Sequence, residues 1–216
     1  MSPPDAAPRG NAYRERVLRL VHRVIAPHLP VRRALDFGAG DGWFARRMLA
    51  AGSAAEVVAV DTMLRRNPHF PVELYDGTRL PYADRSFDLA YCVDVLHHCD
   101  DPPARLADLL RCTSHYFLIK DHTEDGPTGR FVLSVLDEIG NRRFGVPSPH
   151  RYQRGWEWDS IIEDAGFRLE TLVHPAPCQG APLGWLTNRM QFVGLWRRIP
   201  PGAPVDARPL LGRAAE

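Results

Sequence analysis

A glycine-rich turn between apolar segments contains the residues of this sequence best suited to binding a ligand. Asp36 lies in an apolar segment that breaks into the alternating glycines Gly38, Gly40 and Gly42. Glycine permits a tight turn and a close approach of backbone N–H groups to a bound group. A second apolar segment ends nineteen residues after Gly42 in Asp61, a carboxylate suited to the hydroxyls of a ribose. The spacing therefore indicates a nucleoside-containing ligand.

The same turn departs from the dinucleotide-binding fingerprint, whose glycines follow the pattern G-x-G-x-x-G. The pattern here is G-x-G-x-G, and Trp43 occupies the position of the third glycine of the longer motif. An indole there would obstruct the close helix–strand packing that a glycine allows. The sequence therefore disfavours a nicotinamide or flavin dinucleotide.

Two more segments follow the turn in a fixed order. The segment 72–75 is strand-like and leads into Asp76-Gly77, and the segment 80–88 leads into a second apolar run. That run ends in Val95-Leu96-His97-His98. Together with the glycine turn, these segments resemble the class I S-adenosylmethionine-dependent methyltransferases, in their small-molecule branch. The resemblance is carried by residues 34–101.

The resemblance implies the cofactor S-adenosylmethionine and a set of residues that bind it. Asp36 would hold its methionine end, Asp61 its ribose hydroxyls, and Asp76 with the backbone of Gly77 its adenine amino group. The full set implied in this way is Asp36, Gly38, Ala39, Gly40, Asp61, Thr62, Asp76, Gly77, Val93 and His97.

A catalytic base is needed only if the acceptor arrives protonated, because the methyl group of a sulfonium is already activated. The candidates are His98, His122 and Asp121, which follow the predicted fourth and fifth strands. Either histidine could instead cap or pack, and Lys120 could simply pair with Asp121. We find no carboxylate and amide cluster for a divalent ion, so we expect no metal.

Strand-like and helical patterns alternate along the chain and predict an α/β fold with a parallel sheet. The family resemblance implies a Rossmann-like sheet of seven strands in the order 3-2-1-4-5-7-6, with strand 7 antiparallel and helices on both faces. Asp61, Asp76, Asp94 and Asp121 would then share the carboxyl edge of the sheet, where ligands bind. The predicted strands are 33–37, 56–60, 72–75, 87–93, 116–119, 167–173 and 190–197, and the predicted helices are 11–25, 42–50, 102–111 and 156–165.

We expect one methyltransferase domain over residues 11–199, between a flexible N-terminus (1–10) and a disordered tail (200–216). Residues 121–154 are predicted to form a substrate lid, because insertions at this point commonly do so in the family. A helix with an apolar face over 131–139 is followed there by a basic, aromatic segment, which would suit an anionic small-molecule acceptor. A solvated surface loop is the alternative. The arginines concerned are Arg142, Arg143, Arg151 and Arg154.

Composition limits the other functions that the chain could have. The net charge is +1 over 216 residues, and no Asn/Asp-Pro-Pro-Tyr motif follows the fourth strand, so a nucleic-acid acceptor is disfavoured. No apolar segment approaches the ~20 residues of a membrane span, and the four cysteines form no C-x-x-C pair. We therefore expect a cytoplasmic protein without a membrane span. A protein methyltransferase, a non-catalytic scaffold and any oligomeric state remain open.

Overall fold

The computed structural model of the chain describes residues 11–124, 126–141 and 151–200, with the side chains of all of these except 136–141. The predictions for the N-terminus 1–10, for 201–216 of the tail and for 142–150 of the basic segment, including Arg142 and Arg143, lie outside these residues. No helix in the described ranges is both long and apolar enough to cross a lipid bilayer.

Seven strands form one sheet in the order β3-β2-β1-β4-β5-β7-β6, which confirms the predicted topology. Neighbouring strands are parallel except at β7, which is antiparallel to both β5 and β6. The carboxyl ends of the first five strands, which pair only in parallel with one another, therefore lie at one edge. The strands are β1 (Val31–Phe37), β2 (Ala54–Asp61), β3 (Glu73–Leu74), β4 (Phe87–Val93), β5 (Thr113–His122), β6 (Phe167–Val173) and β7 (Gln191–Arg198).

Helices cover both faces of the sheet, because the strands are apolar on both sides. α1 and α2 share one core with the sheet, and α3 and α5 share the other. Each large apolar side chain that these cores remove from water contributes about 1.5–3 kcal/mol. The helices are α1 (Ala12–Ile25), α2 (Trp43–Ala50), α3 (Pro102–Cys112), α4 (Gly126–Asn141), α5 (Trp158–Asp164) and α6 (Leu183–Thr187).

Strand β5 is longer than its apolar segment predicts. It begins at Thr113, directly after α3, and runs to His122 instead of ending at Ile119. Its last residues pair with β7, with Asp121 opposite Phe192 and His122 opposite Gln191. Asp121 and His122 therefore belong to the strand, because antiparallel pairing extends it beyond the apolar core.

The structure also differs from the sequence prediction at the start of helix α5 and between strands β6 and β7. Helix α5 begins at Trp158, because Gly155 and Trp156 both have left-handed backbone angles (φ +55° and +62°) that a helix cannot include. Between the sixth and seventh strands, where the sequence analysis assigns no element, lies the short helix α6, which has only five residues. Its sequence is too short to show a helical period.

Candidate cofactor and acceptor site

The glycine turn after β1 lies against the end of β2. The N–H groups of Gly38 and Ala39 both donate to the carbonyl oxygen of Val60, at 2.9 and 3.0 Å. The N–H of Gly40 donates to Oδ2 of Asp61 at 2.8 Å. The fold thus brings the glycine turn and Asp61 into direct contact at the carboxyl edge of the sheet.

Gly38 and Gly40 both have positive φ angles, +69° and +60°, but for different structural reasons. A Cβ on Gly38 would lie 2.3 Å from Cγ1 of Val95, so the space there is filled by the loop after β4. A Cβ on Gly40 would meet no atom of the described residues within 4 Å. The open space in front of Gly40 is where a ligand could approach the backbone of the turn.

Asp36 is a buried carboxyl beside this turn. Its side chain is 3% exposed, and its Oδ2 has no hydrogen-bond partner among the described residues. Burial raises its pKa to about 8; the nearby Tyr91 hydroxyl and Ala45 N–H act in the opposite direction, and the carboxylates of Asp61 and Asp41 add to the rise. A buried polar atom without a hydrogen-bond partner is costly in either protonation state, and a cation beside it would favour the ionised carboxylate. The site therefore suits a cationic donor, such as the ammonium group of a methionine moiety.

Asp61 is half-buried, and each of its carboxylate oxygens already accepts one backbone hydrogen bond. Oδ2 accepts from Gly40, and Oδ1 accepts from the N–H of Met63 at 3.0 Å. These bonds fix the carboxylate while leaving each oxygen capacity for a second donor. Thr62 follows it in an exposed position. The arrangement can accept hydrogen bonds from a ribose diol.

Asp76 and Gly77 form a turn next to Thr62. Oδ1 of the exposed Asp76 accepts from the N–H and the hydroxyl of Thr78, at 2.8 and 2.7 Å, and these bonds lower its pKa. Gly77 has a φ of +80°, and a Cβ on it would lie 3.2 Å from Cγ2 of Thr62. The geometry brings the three residues together, while an adenine-binding role for them rests on the family resemblance.

The first turn of helix α1 lies at this edge of the sheet and is bonded to it at two points. Nη1 of Arg14 contacts Oδ2 of Asp41, within the glycine turn, at 2.7 Å. The hydroxyl of Tyr13 donates to Oδ2 of Asp94, directly after Val93 at the end of β4, at 2.7 Å. The helix is therefore placed to cover a ligand that lies across the strand ends.

Lys120 is fully buried beneath α1. Its Nζ donates to the hydroxyl of Tyr13 and to Oε1 of Gln191, both at 2.5 Å, and to the carboxylate of Asp94. The alternative in which Lys120 pairs with Asp121 is wrong, because consecutive residues of a strand point to opposite faces of the sheet.

Asp121 contacts a cluster of histidines on the face of the sheet opposite to Lys120. Its Oδ1 contacts Nδ1 of His97 at 2.5 Å and accepts the N–H of His122 at 2.8 Å, while Oδ2 accepts the N–H of Leu96 at 3.1 Å. Burial alone would raise the pKa of Asp121, but His97 and these hydrogen bonds hold it well below its usual range. Asp121 is therefore an ionised anchor.

Potential ligand atoms of His97, Asp121 and His122 all lie within 4.8 Å of one another. Asp121 already accepts three hydrogen bonds in this cluster. The buried ammonium of Lys120 is paired with the neighbouring carboxylate of Asp94, and its charge would repel a metal cation bound beside His122. The donor set thus fits a hydrogen-bonded network better than a metal site.

His98 and His122, the two histidines among the three predicted catalytic residues, flank His97. The ring centroids of His97 and His98 are 4.1 Å apart, and those of His97 and His122 are 5.1 Å apart. The side chain of His122 is 15% exposed, and burial together with Lys120 lowers its pKa. His122 is consequently neutral at pH 7, as a general base must be.

Two residues near the end of the predicted lid, Arg151 and Tyr152, contact the histidine cluster. The buried ring of Tyr152 lies 5.2 Å from that of His97, and the N–H of Arg151 donates to the carbonyl of His97 at 3.2 Å. Arg154 forms an ion pair with Glu124 at 2.5 Å. Arg151 is exposed, whereas Arg154 already has an anionic partner within the protein.

Three residues of the site carry no role in the sequence prediction. Tyr13 shares a helical stripe with the buried Val17 and Leu20, so its inward orientation follows from the period of the helix. Asp94 is predicted at the sheet edge but without a partner. Gln191 gives no signal in the sequence, because only the register of β7 brings it to Lys120.

Comparison with known proteins agrees with this geometry. A family model described as a methyltransferase domain matches residues 10–172, about three quarters of the chain. A structure of an S-adenosylmethionine-dependent methyltransferase from Mesorhizobium loti superposes with a TM-score of 0.62 at 19% identity, over 87% of this chain and 99% of that one.

Two curated relatives are similar in sequence. A demethylmenaquinone methyltransferase from Renibacterium salmoninarum is 31% identical over an alignment of 139 positions, and the match covers 57% of this chain and 58% of the relative. A tRNA U34 carboxymethyltransferase from Methylococcus capsulatus is 28% identical over an alignment of 218 positions, gaps included, and the match covers 91% of this chain and 63% of the relative. The chain spans less than two thirds of either relative. From its fold, its site and the matched domain, the chain belongs to the class I S-adenosylmethionine-dependent methyltransferases.

Proposed function

We propose that this protein transfers a methyl group from S-adenosylmethionine to a small-molecule acceptor. The observation that carries the proposal is the junction of the glycine turn with Asp61, beside the buried and partly unsatisfied carboxyl of Asp36. Asp36 would bind the ammonium of the methionine end, and Asp61 the ribose. The methyl group would then face the histidines at the ends of β4 and β5.

The residues of this chain would act by alignment and proton removal. S-adenosylmethionine supplies a methyl group on a sulfonium sulfur, which leaves as a neutral thioether. An acceptor whose nucleophile carries a proton needs a base beside the methyl group. We place that base at His122, which is partly exposed and neutral, with His98 as the second candidate. Asp121 would hold both His97 and His122 in position.

We also propose that residues 121–154 form the wall of the acceptor site. The support is the packing of Tyr152 against His97 and Met190, together with the bridge between Thr123 and Gln153 that joins the two ends of the segment. The exposed Arg151 is the described arginine best placed to meet an anionic group on the acceptor.

A tRNA acceptor is the second candidate, because one relative named for tRNA matches 91% of the chain. The net charge of +1 gives no general attraction for nucleic acid. A non-catalytic scaffold is the third alternative. It would have no need for Asp36, the glycine turn and Asp61 to meet at one edge.

The decisive experiment is a transfer assay with methyl-labelled S-adenosylmethionine on fractionated cell extract. We expect label in a small molecule, identified by mass, with the wild-type protein and with Glu56→Ala. Glu56 is a matched control, because it lies at the other end of β2 and pairs with Arg33. Asp61→Ala should abolish most of the transfer. Label found only in RNA or protein would contradict a small-molecule acceptor, and cofactor binding without any transfer would favour the scaffold.

A further inference from the structure

Asp94 has a backbone conformation that few residues adopt. Its φ is +56°, in the left-handed region, directly after the last residue of β4. This conformation is less unfavourable for Asp than for most residues, but it is kept only where the surrounding structure imposes it. Here the N–H of Asp94 donates to the carbonyl oxygen of Lys120 at 2.8 Å, which turns the side chain back over β5.

The carboxylate of Asp94 is fixed by two elements. Oδ2 accepts from the hydroxyl of Tyr13 on α1, and Oδ1 accepts from Nζ of Lys120 on β5. The three N–H groups of Lys120 match its three oxygen partners, the third being Gln191. All three N–H groups of the buried Lys120 ammonium are therefore used, and one of them fixes Asp94. Lys120 has no donor left for a reacting group.

The carboxylate also faces Nδ1 of His122. That buried nitrogen lies 3.6 Å from Oδ1 of Asp94 and 3.4 Å from Oδ1 of Asp121, and it has no hydrogen bond within the described residues. The other groups around the ring are Lys120, His97 and Tyr152. Its two nearest polar neighbours are thus acceptors, which favours a proton on Nδ1.

We propose that Asp94 is a positioning residue for His122, which keeps the proton of the neutral imidazole on Nδ1 and leaves the lone pair of Nε2 for the acceptor. This inference rests on the proposed function of His122 as the base. Distances of 3.4–3.6 Å are long for hydrogen bonds, but such contacts commonly tighten when substrate binds.

The proton balance of this arrangement is simple. When the nucleophile of the acceptor bonds to the methyl carbon, the carbon–sulfur bond breaks and its electron pair stays on sulfur. The proton of the nucleophile passes to Nε2 of His122. The resulting imidazolium lies between the carboxylates of Asp94 and Asp121, which stabilise its charge. Release of this proton to water restores the neutral histidine.

The first test is the tautomer of His122 in the wild-type protein, measured by NMR with ¹⁵N-labelled histidine at pH 7. The variant His122→Gln assigns the ¹⁵N signals of His122, because these signals are the ones missing from its spectrum. We expect the proton on Nδ1. A proton on Nε2 would overturn the proposal, and this test requires no variant of Asp94 to fold.

The second test compares Asp94→Asn with Asp88→Asn. Oδ1 of Asp88 lies 3.6 Å from Nδ1 of His115, the same distance as between Asp94 and His122 but at a remote site. Asp94→Asn should lower the pKa of His122 by about one unit, since an anion is lost and Lys120 remains. Asp88→Asn should leave that pKa unchanged.

A pKa of His122 that does not move in Asp94→Asn, or that moves equally in both variants, would contradict the role of Asp94. A merely structural role for Asp94 would change folding stability without this selective effect. Neither test uses cofactor or acceptor. Failure of the proposed methyl transfer is therefore distinguishable from failure of this inference.

Discussion

Asp61→Ala is the substitution that most directly probes the cofactor site. In the structure, the Asp61 carboxylate accepts from Gly40 and Met63, and the proposal adds the ribose hydroxyls as further donors. Alanine removes all of these acceptors but none of the apolar core. Water can reach the two N–H groups that are released, because Gly40 is half-buried and Met63 exposed. We therefore expect a folded protein with a weakened cofactor site.

The size of the effect follows from the bonds that are lost. A hydrogen bond to a charged group contributes about 1.5–3 kcal/mol. Loss of the ribose contacts, with some loosening of the turn, should cost about 2–4 kcal/mol, or roughly 30- to 1000-fold in Kd. The assay is calorimetric titration with S-adenosylmethionine, with circular dichroism to verify the fold.

Glu56→Ala provides the matched control for this titration. It removes the same charge from the same strand, at the end that pairs with Arg33 rather than at the carboxyl edge. Its Kd should equal that of the wild type. If Asp61→Ala also bound with the wild-type Kd, the assignment of Asp61 to the ribose would be refuted.

Three further predictions concern the turn, the base and the buried acid. Gly38→Ala should lower the free energy of unfolding by about 2–5 kcal/mol, because the new Cβ would clash with Val95. Gly40→Ala should lower it by only about 1–2 kcal/mol, because the space in front of Gly40 is open. Equal losses for the two variants in urea denaturation would contradict this prediction. His122→Gln should leave the Kd for S-adenosylmethionine unchanged in calorimetry while lowering the methyl-transfer rate; weaker binding would place His122 in the cofactor site. Because the pKa of Asp36 is raised to about 8, its neutral form favours folding, so stability without ligand should fall as pH rises from 5 to 8. Asp36→Asn should flatten that fall in thermal denaturation, and an unchanged slope would show that Asp36 is already ionised.

The sequence predicts the fold because its signals are local. The apolar segments of β1, β4 and β6 and the glycines after β1 each specify a strand or a turn, and family resemblance supplied the order of the strands. The boundaries that differ depend on tertiary pairing. β5 extends to His122 because β7 pairs with it, which no local pattern of residues 116–122 records.

The acidic residues of the proposed cofactor site could be picked out from the sequence because each lies within two residues of the carboxyl end of a strand. The network around Lys120 was not, because it joins α1, β4, β5 and β7, which are far apart in the chain. Its partners Tyr13 and Gln191 are separated from Lys120 by 107 and 71 residues. Only the complete register of the sheet brings these side chains together.

The most direct test of the account is a crystal structure of the protein with S-adenosylhomocysteine. We predict its ribose hydroxyls within about 3 Å of the Asp61 carboxylate, its amino group beside Asp36, and its sulfur directed toward His122. A ligand bound elsewhere, or a groove closed by side chains of α1 at saturating ligand, would contradict the proposed site and the methyl transfer that depends on it.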